Sequence, residues 1–344
     1  SLVTVISVVM LAYGDEPWLH EAVASALVTP SAHVTVFDNG CTSDSVHTLP
    51  AHERLTVITA TENLGFAGGV NRGIAASDGD VVCLLNSDAE LEPGTLDALV
   101  TALDDGADLA GPLILLADTP DLVNSAGNPL HVLGLVWAGH LGEPRTSLDP
   151  SEEPTTLSGA CLAFRRSTWD ELGGFDDAFF AYHEDADLCW RARQRGMSLK
   201  LVHEVGVLHH YEFSRNTRKM YLMERNRLLF VLTTYEARTL AVLAVPMIGF
   251  ELALLLVAWR QGWGREKARG WLWLARNGAH IRARRREVSA ARRVGDDVLS
   301  SLLTSTFDAA QLPIPAAGRP LEVLLQGWWR LGRKVLRHRG TLTR

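Results

Sequence analysis

Cysteine is scarce: four residues in 344 (Cys41, Cys83, Cys161 and Cys189). None stands in a CxxC pair or at a histidine spacing suited to zinc. A disulfide scaffold and a zinc module are thereby excluded, and the thiols read as small reduced core residues of a cytosolic protein. No long low-complexity tract occurs, and 47% apolar with 21% charged residues is a globular composition. The apolar start "SLVTVISVVMLAYG" lacks a basic n-region and runs into a helical pattern, so it reads as a buried first strand rather than a signal peptide. Positive charge is scarce only at the front. Residues 1–212 carry 31 Asp/Glu against 9 Lys/Arg, a balance of -22, whereas residues 213–344 carry 9 against 24, a balance of +15. Such a split implies two jobs, with anionic partners at the back.

What is present in the first 110 residues is strand–helix alternation. "TVISVVML" is continuous and β-branched, as a strand covered on both faces should be. "PWLHEAVASALV" has helical spacing, "HVTVFDNG" and "LTVITA" are strands, "GFAGGVNRGIAAS" is a glycine-led helix, and "DVVCLLNSD" is a fourth strand. The pattern predicts a mostly parallel sheet with helices on both faces, whose ligands bind beyond the carboxyl ends of the strands. Tyr13 and Asp15, Asp38 and Asn39, and Asn86 and Asp88 fall at those ends. Residues 118–156, rich in Pro, Gly, Asp and Ser, read as a long mobile connection. "TLSGACLAFRR" and "SLKLVHEVGVLHH" return as strands around the capped helix "STWDELGGF".

Four stretches can carry chemistry, and each has a plain structural alternative. In "NSDAE", Asn86 and Asp88 can hold a hard divalent cation if the strand has already become a loop; otherwise they cap the next helix. In "ENLGFAGGVNRGI" the glycines permit close approach of an anion to a helix start, with Asn71 and Arg72 at hand. The pattern is neither GxGxxG nor a Walker loop, and a glycine-rich packing helix is the alternative. In "VFDNGCTSD", Asp38 can accept hydrogen bonds from a base or ribose, or simply close an Asx turn. Behind an aromatic run, "FFAYHEDADLCW" sets Glu184, Asp185 and Asp187 in what reads as a first helical turn. Asp185 then shares a face with Leu188, Cys189 and Ala192, while Asp187 lies opposite. Acids there also stabilise a helix start. Arg191 and Arg193 can be read as a solvated helix face.

In this order, "VISVVMLAYG", "VTVFDNGCTSD", "ENLGFAGGVNRGI", "LLNSDAEL", "LSGACLAFRR", "LGGFDDAFFAYHEDADLCWRAR" and "HHYEFSRNTRKMYLMERNRLL" resemble the family 2 glycosyltransferases, inverting enzymes of the GT-A fold. The segments span about residues 3–230. "LLNSDAEL" is similar to the N-P-D form of the metal motif among rhamnosyltransferase-like members, with Asn86 in place of the usual first Asp and Ser87 in place of proline. The resemblance implies a Rossmann-like nucleotide-binding sheet and a nucleotide-diphosphate sugar donor, dTDP-rhamnose or a UDP-hexose. It implies Mg²⁺ or Mn²⁺ at Asp88 with His209, which matches the histidine of a His–x–x–Gly–x–Ser motif in the family. It makes Asp185 the catalytic base, with Tyr182, Glu184 and Asp187 in support and Phe179 and Phe180 shaping the acceptor pocket. Tyr13, Asp15, Asp38, Asn71, Arg72, Asn86 and Arg215 are the expected donor contacts.

The back third differs in character. "TLAVLAVPMIGFELALLLVAW", residues 239–259, is long enough to cross a bilayer, although Glu251 inside it would be costly there. Residues 260–293 hold 11 Lys/Arg against two Glu, a basic flank suited to a cytoplasmic membrane face. The terminal "LEVLLQGWWRLGRKVLRHRG" lines up Leu321, Leu324, Leu325, Trp328, Leu331 and Val335 as an interfacial stripe; a helical bundle on the catalytic domain explains the same residues. The expected organisation is a GT-A domain over 1–230 and a helical, membrane-associated region over 231–344, peripheral or single-span. It predicts an enzyme at the cytoplasmic face of the plasma membrane that glycosylates a polyprenyl-linked or other glycan, with no nucleic-acid partner. A nucleotidyltransferase would want a basic activating loop near the first strand, which "LAYGDEPWLH" does not supply. A non-catalytic nucleotide- or glycan-binding module is the second alternative.

Overall fold

The computed structural model describes residues 4–210, 217–308, 310–312 and 319–337. The chain divides into two units: residues 1–128, 138–192 and 197–213, and residues 129–137, 193–196 and 214–344. The last stretch of the second unit begins at Ser214, where the sequence sets the expected domain boundary at 230, and the first helix after 214 packs among the C-terminal helices.

Elements run β1 Ile6–Gly14, α1 Leu19–Leu27, β2 Ala32–Cys41, β3 Leu55–Thr59, α2 Gly65–Ala75, β4 Val81–Leu85, β5 Ala89–Leu91 and α3 Thr95–Asp104. They continue with β6 Leu109–Leu116, β7 Thr119–Ser125, β8 Leu130–His131, β9 Cys161–Arg165, α4 Arg166–Leu172, α5 Glu184–Gln194 and β10 Leu199–His209. The first unit is built on a nine-stranded sheet ordered β3-β2-β1-β4-β9-β6-β10-β5, with β7 on β6. The block β3-β2-β1-β4 is parallel, and β9 then enters antiparallel to both β4 and β6. Alternation along β1 shows why its sequence is continuously apolar. Val8, Met10 and Ala12 join a core with α1 and α3, while Val9 joins a second core with α2, α4 and α5 on the other face.

The connection over 118–156 is not the irregular segment expected. β7 pairs antiparallel with the C-terminal part of β6, Asn128 ties Ser125, Gly139 and Thr156 together, and Arg145 grips Glu92 with two bonds of 2.8 and 3.1 Å. Its Pro and Gly content sets turns between hydrogen-bonded pieces.

The second unit holds α6 Thr217–Thr234, α7 Ala237–Arg260, α8 Gly264–Arg276, α9 Gly278–Ala291, α10 Asp296–Leu299 and α11 Arg319–Arg337; the short strand β11 Leu303–Thr304 pairs with β8. α6 packs against α8 and α9. It buries Glu224 and Arg227, which meet Lys267 of α8 and Glu251 of α7 in one ion cluster. Burial pushes the Glu224 carboxyl up, but the charges of Arg227 and Lys267 outweigh it and hold the group down to about 2.

Candidate active site

The carboxyl ends of β1, β2 and β4 lie at one edge of the first unit, and the loops that follow them carry the polar residues. After Leu85 the chain leaves β4, so Asn86–Ser87–Asp88 is a turn, as a shared cation site requires. Its placement is fixed by backbone bonds: Asn86 N–H donates to the Ala160 carbonyl at 2.9 Å, and His210 N–H to the Asp88 carbonyl at 2.9 Å. β5 lies antiparallel to β10 with Ala89 opposite His209, which brings Asp88 to the end of β10.

Asp88 Oδ1 and His209 Nε2 are 3.2 Å apart, and His209 Nδ1 meets Asn124 Oδ1 at 2.9 Å. One imidazole nitrogen thus meets an amide oxygen and the other a carboxylate, and an imidazole and a carboxylate so placed are both ligand types for a divalent cation. The pair thus fits a divalent ion. Among the described residues no third His, Cys, Asp or Glu completes a cluster, so most of a hard cation's oxygen shell is left to substrate and water. His210 stands apart from this pair, stacked on Trp18 with centroids 3.6 Å apart and bonded to Glu90 at 2.8 Å.

Asp185 opens α5 on the neighbouring side. Its Oδ2 accepts the Gly159 N–H at 3.0 Å and Oδ1 accepts the Ala186 N–H at 2.8 Å. The dipeptide Gly159–Ala160 therefore touches both Asp185 and the Asn86 turn, joining residues about a hundred positions apart. A Cβ at residue 159 would sit 3.2 Å from the Asp185 Cβ, so glycine there permits the approach. The chain enters α5 through strained backbone: Phe180, Tyr182 and His183 all have positive φ, and Phe180 sits at φ 63, ψ -62 in a γ-turn closed by Ala181 N–H to Phe179 O at 2.8 Å. Glycine makes room here too. A Cβ on Gly65, itself at φ +73, would lie 2.4 Å from the Phe180 carbonyl.

The other acids of this stretch face inward. Asp187 is wholly buried and paired with Arg191 Nε at 2.7 Å, while Arg191 donates to the Leu172 and Gly174 carbonyls at 2.6 and 2.7 Å. Arg191 is thus a core residue and not part of a solvated face, and Asp187 braces α5 rather than facing an acceptor. Glu184 is 6% exposed and burial, reinforced by Asp185 and Asp187, pushes its carboxyl well above the usual range. Phe179 is buried, Phe180 covers Gly65, and only Tyr182 presents its ring to solvent.

A folded-state shift upward means that Glu184 subtracts stability as pH rises above its unfolded value near 4.5, where the unfolded chain ionises and the folded chain does not. Glu184→Gln is expected to melt a few degrees higher than wild type at pH 7, the gap closing below about pH 4. A lower melting temperature at pH 7, read by differential scanning calorimetry, would mean that the buried group is ionised and engaged.

Two expected donor contacts lie elsewhere. α2 starts at the ligand edge, but Arg72 is in its last turn, exposed and about 10 Å farther along the axis. Asn71 spends both amide atoms on Phe175 and Asp177. The glycines of α2 serve packing: Gly69 and Gly73 face Leu11 and Val9. Asp38 closes the Asx turn, Oδ1 accepting from Gly40 and Cys41, with Oδ2 left over at the edge. Tyr13 and Asp15 are exposed there. Arg215 lies outside the described residues.

Glu16 was not singled out by the sequence reading. It is buried, accepts the Tyr13 N–H at 2.7 Å, bonds Ser87 and is raised to about 7, chiefly by burial and then by Asp88 and Asp15. Its place two residues past β1 was the available signal. Asn39, which the sequence marks only as a strand-end residue, locks the β3–α2 loop through Asn63, Leu64 and Gly65.

The model of the family "Glycosyl transferase family 2" matches residues 7–173. N-acetylglucosaminyl-diphospho-decaprenol L-rhamnosyltransferase of Mycobacterium tuberculosis is 33% identical over 235 residues, covering 60% of this chain and 76% of that protein. Succinoglycan biosynthesis protein ExoU of Rhizobium meliloti is 28% identical over 214 residues, 59% of this chain and 61% of its own. Among solved structures, GalNAc-T7 with UDP, GalNAc and Mn²⁺ superposes with a TM-score of 0.55 at 17% identity, over 70% of this chain and 50% of that one. TarS of S. aureus with UDP-GlcNAc gives 0.51 at 15% identity, over 98% and 92%. At those identities the likeness is one of fold: the GT-A arrangement.

Proposed function

The chain belongs to glycosyl transferase family 2, and from that premise we propose that it transfers a hexosyl or deoxyhexosyl unit, with inversion, from a nucleotide-diphosphate donor to a hydroxyl of a lipid-linked glycan. The observation that carries this reading is the Gly159–Ala160 bridge, which sets the Asp185 carboxylate beside the Asn86–Asp88 turn. In an inverting transfer one base takes the acceptor proton while the diphosphate departs on the opposite face of the sugar. Asp185 is that base: Gly159 holds one oxygen in place, and the side chain stays half-exposed where an acceptor can reach it. Asp88 and His209 are the residues that would hold Mg²⁺ or Mn²⁺, which supplies positive charge to the leaving diphosphate when bound. Asp38 Oδ2, Tyr13 and Asp15 line the edge where the nucleoside would rest.

The rhamnosyltransferase name of the mycobacterial relative supports dTDP-rhamnose as the first donor to try and a polyprenyl-diphosphate glycan as the acceptor. The product would enter cell-wall or surface polysaccharide, and transfer would occur at the cytoplasmic face of the plasma membrane. The test is a panel of dTDP, UDP and GDP sugars, each with and without Mn²⁺, read by thermal shift and by transfer to a polyprenyl-diphosphate-linked sugar. One donor is expected to stabilise the protein more with Mn²⁺ than without, and Asp88→Asn to lose that increment with a 10²-fold or larger fall in turnover, on the order of one lost electrostatic contact to the leaving group. No shift and no transfer with any donor would sink the reading.

A further inference from the structure

α7 is long and apolar enough to cross a membrane, yet its polar contacts argue for a different posture. Glu251, its only acid, points into the second unit, where it meets Arg227 and bonds Lys267 Nζ at 3.0 Å and Trp271 Nε1 at 2.8 Å. Arg227 and Lys267 are almost completely buried. A spanning α7 would carry this cluster to the middle of the hydrocarbon. The side of the helix turned away from the buried Leu243 and Ala258 bears Val245, Ile248, Gly249, Leu252, Leu256 and Val257, all exposed at helical spacing. The helix is about 36 Å long, and the stripe runs about half that length.

α11 lies against α7: Gly332 faces Val242, and Trp328 Nε1 donates to the Val242 carbonyl at 2.7 Å. Leu325, Trp329, Gly332 and Leu336 are turned inward, which corrects the expected stripe at Leu325. Leu321, Leu324, Trp328, Leu331 and Val335 remain exposed along one side. Glu322, the one acid of α11, accepts the Phe307 N–H at 3.0 Å. Exposed charge on the two helices is thus positive throughout: Arg238, Arg260, Arg319, Arg330, Lys334 and Arg337.

We propose that α7 and α11 form one monotopic docking surface that lies in the interfacial layer of an anionic bilayer leaflet, with neither helix crossing it. Contiguous apolar stripes on two packed helices, with both acids withdrawn and bases left at the rim, match acyl chains flanked by anionic headgroups. Exposed Trp259 and Trp328 supply amphipathic rings for the boundary. The inference deepens the lipid-linked acceptor reading by stating how this chain meets the lipid, and its readout does not depend on sugar transfer.

The test is flotation of the full chain with phosphatidylcholine vesicles, with and without phosphatidylglycerol. Binding is expected to need phosphatidylglycerol and to be released by alkaline carbonate. Leu252→Glu with Leu324→Glu should lower the bound fraction about tenfold or more, from the lost burial of two side chains; both sites are exposed, so the melting temperature should hold. Should that variant fail to fold, Arg330→Glu with Lys334→Glu reads the charged half, with a comparable loss expected. In Cys41→Ser protein, single reporters Ala237→Cys and Gln261→Cys should both react with an impermeant maleimide from the same side of the bilayer. Reaction from opposite sides, or resistance to carbonate, would overturn the proposal in favour of a span. Vesicle binding unchanged by either charge variant, or a dimer in solution abolished by the leucine variants, would overturn it in favour of another occupant.

Discussion

Asp185→Asn is expected to lower turnover by about 10²–10⁴-fold while leaving donor affinity within a few-fold of wild type. The substitution keeps size, and the asparagine carbonyl can still accept the Gly159 N–H, at the cost of the bond from the Ala186 N–H, which the amide nitrogen cannot accept. What it removes is the capacity to take a proton, and that step belongs to the acceptor. Donor binding, measured by calorimetric titration, should therefore separate from transfer, measured by product formation. Equal loss of both would make Asp185 a structural residue of the donor site. Undiminished transfer would remove it as the base and leave a binding module or a different acid to be considered.

The largest expected effect on stability lies two residues on. Arg191→Leu would take from buried Asp187 the guanidinium bonded to it at 2.7 Å and strip a charged donor from the Leu172 and Gly174 carbonyls. Breaking a buried pair from one side costs about 3–5 kcal/mol, a large share of the roughly 5–15 kcal/mol that keeps a domain folded. In thermal melts this corresponds to a drop of about 6–20 °C. Replacing both partners, Asp187→Leu with Arg191→Leu, should recover part of the loss, because the second change removes the stranded charge. A single variant that melts within a degree or two of wild type would mean the pair is dispensable to α5. Since Asp187 braces the helix that presents Asp185, the proposed base, a folded Arg191 variant should also show weakened turnover, as small displacements of such a group are costly.

How far the sequence could be read differs from one element to the next. The parallel block and its ligand edge were legible because a strand buried on both faces must be apolar at every position, as β1 is. The start of α5 was legible from local chemistry, whereas Asn86–Asp88 stood open between a strand end, a loop and a helix cap until β4 ended at Leu85. Direction along a helix was missed at Arg72: the motif gave its neighbours but not which end of α2 they occupy. Burial was missed at Arg191 and Asp187, since an i, i+4 ion pair reads the same on a wet face as in a core.

The sequence by itself therefore determined the elements, the family, and which few acids were worth watching, because periodicity and turn chemistry are local properties of the chain. Only the tertiary structure decided how each of those acids is held. It pairs Asp187 with Arg191, buries Glu184, withdraws Glu251 into an ion cluster and leaves Asp185 half-exposed on the Gly159 amide. Those fates turn on desolvation and on partners far along the chain, and neither exists until the sheet and helices close around them.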